Sequence, residues 1–191
     1  GLDTATGVGT RARLEDDGVR IQTSIDVPRS HGTRLGPLGA DAFTHTGRSP
    51  ADLALIAVSI GPGSYTGLRI GTSLAKGLAL STGADVLGID TLTALAMTGD
   101  MEAPIAVFLP SRRGEVYGAV VADGCLTREA AALRVLDVAT WMPQEVAAIG
   151  GPGADRIPSV RPDLPRLDLR PSGATVARLG QSLLAAGTST A

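Results

Sequence analysis

Ser59-Ile60-Gly61-Pro62-Gly63-Ser64-Tyr65-Thr66-Gly67-Leu68-Arg69-Ile70-Gly71 follows the apolar run Leu53 to Val58 and opens into a pattern that predicts a helix reaching about Leu80. Strand, glycine-rich turn and helix in that order make a natural anion site, because free backbone N–H groups and the helix dipole point at the turn. The glycines, however, do not stop at the turn. Gly67, Gly71 and Gly77 fall inside the helix, where each costs roughly 0.5–1 kcal/mol relative to alanine. Close approach of another backbone is the usual compensation, from the chain's own sheet or from a second subunit. At about 100° per residue, Gly67, Gly71, Leu74 and Leu78 share one face, flanked by Ile70 and Ala75, with Arg69, Thr72, Ser73 and Lys76 broadly opposite. With Leu68 and Ala79 the apolar arc covers about half of the helix, wider than the ~100° stripe of a one-sided surface helix. That width predicts contact on two sides, one being the helix's own sheet.

The motifs that would make this tract catalytic come close and fail. A P-loop needs its lysine after the second glycine, whereas Lys76 precedes Gly77. The dinucleotide fingerprint fails because Gly61 and Gly63 are followed by Gly67, one residue late. Gly71-Thr72-Ser73-Leu74-Ala75 approaches a nucleophile elbow, but Ser73 falls in a helix interior rather than a strand-to-helix turn. The histidines, His31 and His45, have no ligand-spaced partner. Asp3 stands at a strand end beside small polar residues, where a hydrated magnesium ion could bind. One carboxylate alone does not make a metal site.

Outward from the tract, strands and helices alternate. Asp3 to Gly7 ends a first strand, Thr10 to Leu14 returns, and Val19 to Val27 alternates in the period of a half-buried strand, with Asp16-Asp17-Gly18 as the hairpin turn. Leu35, Leu38 and Ala42 have helical spacing within 34–46, with Pro37 near the start, where proline is tolerated. Asp85 to Ile89 predicts a strand, and Thr91 caps a helix running to about Thr98. A second set of strands follows at Ile105 to Leu109, Glu115 to Val121 and Val146 to Ile149. Residues 151–171, rich in Pro and Arg, read as loop, and Ser172 caps a last helix carrying Val176, Leu179 and Leu183. Two successive sets of mixed elements predict a two-lobe α/β protein with lobes 1–99 and 100–191, the last helix (about 172–186) packing back on the first lobe.

Composition narrows the function. The 191 residues carry 17 basic and 19 acidic side chains, a formal net charge of −2, and 3% aromatics. That balance offers neither the basic surface that releases counterions from nucleic acid nor stacking platforms for single strands. Any RNA in the pathway is therefore expected to be held mainly by another protein. Cys125 is the single cysteine, which rules out an internal disulfide and a cysteine zinc cage; in the turn-like Asp123-Gly124-Cys125-Leu126 it reads as an inert thiol. Mean hydropathy is +0.19, yet no apolar run approaches the roughly 20 residues that span a bilayer. The chain starts at Gly1-Leu2-Asp3, which reads as partway along a strand, so a few leading residues are expected before it; with no signal peptide in view, a cytoplasmic location is expected. Ser111-Arg112-Arg113-Gly114 reads as a solvated hairpin end, with contact to a partner or an RNA phosphate as the alternative. Gly150-Gly151-Pro152-Gly153 reads as a tight turn, with a nearby nucleotide as its alternative.

The long tract from Ile60 to Gly71, followed by Ala75-Lys76-Gly77-Leu78-Ala79, resembles the hallmark of the TsaB (YeaZ) family. Leu2-Asp3-Thr4-Ala5-Thr6, His31 ahead of Leu35 and Pro37, and Arg112-Arg113-Gly114-Glu115-Val116-Tyr117 agree in order. The resemblance covers about the first 120 residues and is thin afterwards. Pro110-Ser111 stands where the family has Asp-Ala, Gly32-Thr33 where it has Ser-Glu, and Gly36 and Gly39 replace larger apolar residues. The resemblance implies the actin/Hsp70-like (ASKHA, ribonuclease H-like) two-lobe fold and a bacterial, non-catalytic subunit that binds no cofactor or metal of its own. Such a subunit supports the catalytic paralogue TsaD, which carries the metal, in making threonylcarbamoyladenosine beside the anticodon of tRNA. The ATPase TsaE joins the pair, and the same face can form homodimers. The implied partner interface comprises Leu35, Leu38, Tyr65, Gly67, Ile70, Gly71, Leu74 and Leu78, so Gly71→Leu is expected to abolish association while the monomer still folds. The competing reading is a small nucleotide-dependent kinase or acyltransferase of the same fold, with Asp3 near a metal and the Gly61 and Gly150 turns around phosphates.

Overall fold

The structure, a computed structural model, describes residues 1–6, 8–15, 18–26, 49–99 and 101–188. The helix expected over 34–46, with Leu35 and Leu38, and both histidines lie outside the described residues. The chain divides into two compact units, Gly1–Asp90 with Pro171–Ala191, and Thr91–Arg170.

The first unit is built on a five-stranded sheet of β1 (Leu2–Asp3), β2 (Val8–Glu15), β3 (Gly18–Asp26), β4 (Leu55–Gly61) and β5 (Asp85–Asp90). Its order is β3-β2-β1-β4-β5, antiparallel from β1 to β3 and parallel across β1, β4 and β5. The parallel step from β4 to β5 needs a crossover, supplied by helix α1 (Tyr65–Thr82). Ser64 caps α1, its Oγ accepting the Gly67 N–H at 3.2 Å, and Gly83 ends the helix in the left-handed region at φ 77°. Successive β4 residues face opposite ways. Ile56 and Val58 join Leu2, Ala75 and Ala84 in a core on the α1 side. Ala57 turns to the other face, where Gly180 of the C-terminal helix (Gly173–Ala185) lies so close that a Cβ there would stand 2.5 Å from the Ala57 methyl.

The second unit holds another five-stranded sheet, of β6 (Ile105–Pro110), β7 (Glu115–Ala122), β8 (Cys125–Arg134), β9 (Ala148–Gly150) and β10 (Arg166–Leu167), in the order β10-β9-β6-β7-β8. Strand β6 is buried on both faces. Ile105, Val107 and Leu109 pack with Leu92 and Leu95 of α2 (Thr91–Ala96), while Ala106 and Phe108 pack with Val138 of α3 (Val138–Trp141) and with Met142 and Ile157. A strand covered on both sides reads as a continuous apolar run, and Ile105-Ala106-Val107-Phe108-Leu109 does.

Three sequence expectations change, one being that residues 151–171, read as loop, hold the short strand β10 paired with β9. Cys125 opens a ten-residue strand, β8, rather than belonging to a turn. Charged Arg128 and Glu129 and the run Ala130 to Ala132 have weak strand propensity, and the strand forms through its ladder with β7. The junction falls after Asp90 rather than near 99, because Leu92 and Leu95 bury themselves in the second unit's core. The C-terminal helix, α4 in chain order, packs on the first unit's strands.

Candidate partner interface

The glycine tract encloses the end of β1. Asp3 and Thr4 are only 2% and 1% exposed. The Ser59 hydroxyl donates to Asp3 Oδ2 at 2.8 Å and the Ala5 N–H to Asp3 Oδ1 at 3.0 Å. Thr4 Oγ1 donates to the Gly67 carbonyl at 2.7 Å, and the Ser64 N–H donates to the Ala5 carbonyl, also at 2.7 Å. The Ser64 and Gly67 N–H groups, which an anion cradle at this turn would use, are thus committed within the chain.

The same packing explains three of the glycines. A Cβ built on Gly63 would press into the Ala5 carbonyl, one on Gly67 into the Thr4 carbonyl, and one on Gly71 into Thr4 Oγ1, all well inside van der Waals contact. The neighbour that compensates Gly67 and Gly71 is the chain's own first strand. Both residues are buried, and this corrects their assignment to a partner interface. It also overturns the expectation for Gly71→Leu, whose side chain would collide with Thr4 and damage the monomer.

Burial pushes the Asp3 carboxyl above its ordinary 3.8, against the opposing hydrogen bonds from Ser59 and Ala5. The native state therefore holds this proton to higher pH than the unfolded chain does. Its contribution to stability is fully present below the unfolded value and is lost as pH rises through the folded one. Asp3→Asn is expected to weaken that loss. Denaturant midpoints of both proteins measured upward from pH 4 check this; parallel pH dependences would count against it.

The outer surface of α1 is different in kind. Tyr65 is 73% exposed, with the Arg69 guanidinium 5.3 Å above its ring and donating to its hydroxyl at 3.2 Å. Leu80, at 90%, and Ile60, at 57%, are exposed large apolar residues on and beside the helix. Ile70 is half-buried; Leu74 and Leu78 are half-buried against the chain's own Leu2, Ile56 and Val58 core. Gly77 is exposed, and a Cβ there would meet nothing within 4 Å. Among the described residues no contact offsets this glycine. Gly77→Ala is accordingly expected to stabilise the first unit by roughly 0.5–1 kcal/mol, read as a raised thermal midpoint; an unchanged or lowered midpoint would refute it. Leu80 and Gly77 were missed from sequence because Gly67 and Gly71 drew the whole arc inward. The signal was available in the glycine-to-glycine angle, which sets Gly77 off the face shared by the other two.

Among the described residues no three His, Cys, Asp or Glu side chains gather in a metal-holding group. A cavity of about 760 Å³ in the second unit, with Arg128, Trp141, Gln144 and Arg161 in its wall, is lined without any carboxylate, histidine or thiol. No described helix is long and apolar enough to cross a membrane.

Comparison with known proteins connects this geometry to a family. A family model described as "TsaD: tRNA N6-adenosine threonylcarbamoyltransferase" matches residues 25–182. The TsaB biosynthesis protein of Escherichia coli is 35% identical over 121 residues, 62% of this chain and 52% of that protein. The chain belongs to the TsaD/TsaB (YeaZ) family. A tRNA N6-adenosine threonylcarbamoyltransferase of Solidesulfovibrio magneticus is 42% identical over 78 residues, 41% of this chain but 21% of that enzyme. YeaZ from Pseudomonas aeruginosa superposes with a TM-score of 0.86 at 27% identity, covering 97% of this chain and 91% of that one. The two-lobe α/β class expected from sequence holds, and it is the fold of YeaZ. The chain spans about half the length of the curated TsaB proteins it matches, 52% and 51% for the two from Escherichia coli and Bacillus subtilis.

Proposed function

We propose that the chain is a non-catalytic subunit in the synthesis of threonylcarbamoyladenosine on tRNA, which pairs with a TsaD-type catalytic paralogue through the outer face of α1. The observation that carries this reading is the division of labour on that helix. Gly67, Gly71 and Ala75 are spent on the chain's own sheet, while Tyr65, Leu80 and Gly77, which no described residue compensates, face outward. An exposed glycine beside exposed apolar side chains suits the close approach of a second helix. The family relatives carry the names of tRNA threonylcarbamoyladenosine biosynthesis proteins and of the transferase itself, which supports both the pathway and the partner.

Ile70, Leu74 and Leu78 contribute their outward edges to this surface, and Leu35 and Leu38, which lie outside the described residues, are proposed to extend it. A TsaE-type ATPase joins the pair, and two copies of the chain use the same face when the paralogue is absent. tRNA is held mainly by the paralogue, in the cytoplasm, and this subunit uses no cofactor of its own. The rival kinase or acyltransferase reading has less to stand on, because both Asp3 oxygens already accept hydrogen bonds from Ser59 and Ala5.

Co-expression with the catalytic paralogue from the same genome, followed by size exclusion and assay of threonylcarbamoyl transfer to tRNA, tests the reading. A stable pair, with transfer that requires this chain, is expected. Transfer at full rate by the paralogue and TsaE alone would overturn it, as would transfer catalysed by this chain alone.

A further inference from the structure

One exposed side chain bridges the carbonyls of the turn between β6 and β7. Nη1 of the Arg156 guanidinium shares its two N–H hydrogens among three carbonyls of that turn: Ser111 at 3.1 Å, Arg112 at 3.0 Å and Glu115 at 3.0 Å. The turn is closed further by the Glu115 N–H donating to the Arg112 carbonyl at 3.1 Å and the Ser111 N–H to the Glu115 carbonyl at 3.3 Å. The Val135 N–H of the neighbouring segment donates to the Gly114 carbonyl at 3.0 Å. A hairpin tip that only needed to reverse the chain would not require a guanidinium reaching back from 41 to 45 residues away in sequence.

Charge pairing at this end of the sheet is selective. Arg112 Nε lies 3.1 Å from Glu115 Oε2, and Arg134 Nε lies 2.6 Å from Asp137 Oδ2. Arg113 is exposed at the tip and has no ion-pair partner among the described residues. The positive charge of Arg156 lies against the same turn, and among the described residues its hydrogen bonds go to carbonyls alone. A fixed backbone presenting one unneutralised guanidinium, with a second adding to its field, is suited to a diffuse, strongly hydrated anion. Phosphodiester oxygens fit that description, and arginine meets them with parallel N–H donors. Single phosphate contacts of this kind position a nucleic acid without reading its sequence.

We infer that Arg113 contacts a backbone phosphate of the RNA substrate, and that Arg156 is a positioning residue that holds the turn presenting it. This deepens the function proposed above and rests on it, since the phosphate belongs to the tRNA on which the paired subunits act. One contact is compatible with a chain whose net charge is −2, because the paralogue supplies most of the binding surface.

The test uses the reconstituted complex with unmodified tRNA transcript as the probe. Arg113→Ala is expected to raise KM for tRNA roughly 3- to 10-fold near 0.15 M salt and to lower the slope of log affinity against log salt by about 1. kcat and the stability of the protein pair should stay unchanged, and Arg113→Glu should raise KM further. Arg156→Ala should raise KM in the parent chain but add nothing in the Arg113→Ala background, with Arg156→Lys intermediate. Arg178→Ala, an exposed change on the C-terminal helix, is the control and should leave KM alone. Should Arg156→Ala fail to fold, the two Arg113 variants still decide the matter. An unchanged KM and salt slope in both Arg113 variants would overturn the inference while transfer by the parent complex leaves the wider function standing. Loss of the protein pair in Arg113→Ala would overturn it in favour of a protein contact. A parent complex without any transfer would sink the function itself.

Discussion

Gly67→Ala is expected to destabilise the first unit by about 2–3 kcal/mol, although alanine is the better helix former. Helix propensity alone favours the substitution by up to about 1 kcal/mol. Against that gain stands a methyl group pressed into the Thr4 carbonyl, and overpacking of a rigid site costs roughly 1–3 kcal/mol, occasionally more. The obstacle is backbone, so no rotamer change relieves it. The shift needed to make room also breaks the 2.7 Å bond from Thr4 Oγ1 to the Gly67 carbonyl, leaving buried polar atoms short of partners. Gly71→Leu should act in the same direction, since its side chain starts against Thr4 Oγ1. Urea unfolding of the isolated chain measures both. A Gly67→Ala protein at least as stable as its parent would refute the idea that these glycines exist to admit the chain's own first strand.

Gly77→Leu should behave in the opposite way on two measurements at once. The space around a Cβ at this position is open, and leucine is a strong helix former, so the monomer should gain stability by up to about 1 kcal/mol. Association with the catalytic paralogue should weaken by roughly 100-fold, a loss of about 2.7 kcal/mol, in the range of a hot spot at the centre of an interface. Leu80→Arg is a companion change: Leu80 is 90% exposed near the helix C-terminus, where a cation is tolerated or favoured. It should leave the monomer intact and also weaken the pair. Calorimetric titration of the paralogue against each variant gives the affinity, and thermal unfolding gives the stability. Retention of parental affinity by Gly77→Leu would place the partner elsewhere.

These opposed outcomes mark how far the sequence could be read. Strand, turn and helix across residues 55–82 were legible because the apolar run, the Ser64 cap and the helical spacing agree with one another. The order of mixed elements was legible for the same reason, and the fold class with it. The role of each glycine was not. Propensity says that a helical glycine needs a neighbour, but only the register of β1 against α1 says that Thr4 is that neighbour for Gly67 and Gly71 and for no residue beyond them. Strand β8 was hidden for a related reason. Its Ala130-Ala131-Ala132 run has no strand signature, and its formation depends on pairing with Tyr117 and Gly118 of β7. The Arg156 clamp was invisible because its partners are backbone carbonyls, which every residue has.

The discontinuity of the first unit governs how the protein is made. Strands β1 to β5 are complete by Asp90, yet the helix that covers their second face begins only at Gly173. On the ribosome, the face carrying Leu55 and Ala57 must wait for this helix while the intervening second unit is synthesised. At ordinary elongation rates of ≈ 5–20 residues per second that wait lasts several seconds. The amino-terminal unit is therefore the last to be finished. Translation speed through residues 91–172 and chaperone occupancy of the nascent chain become determinants of its yield.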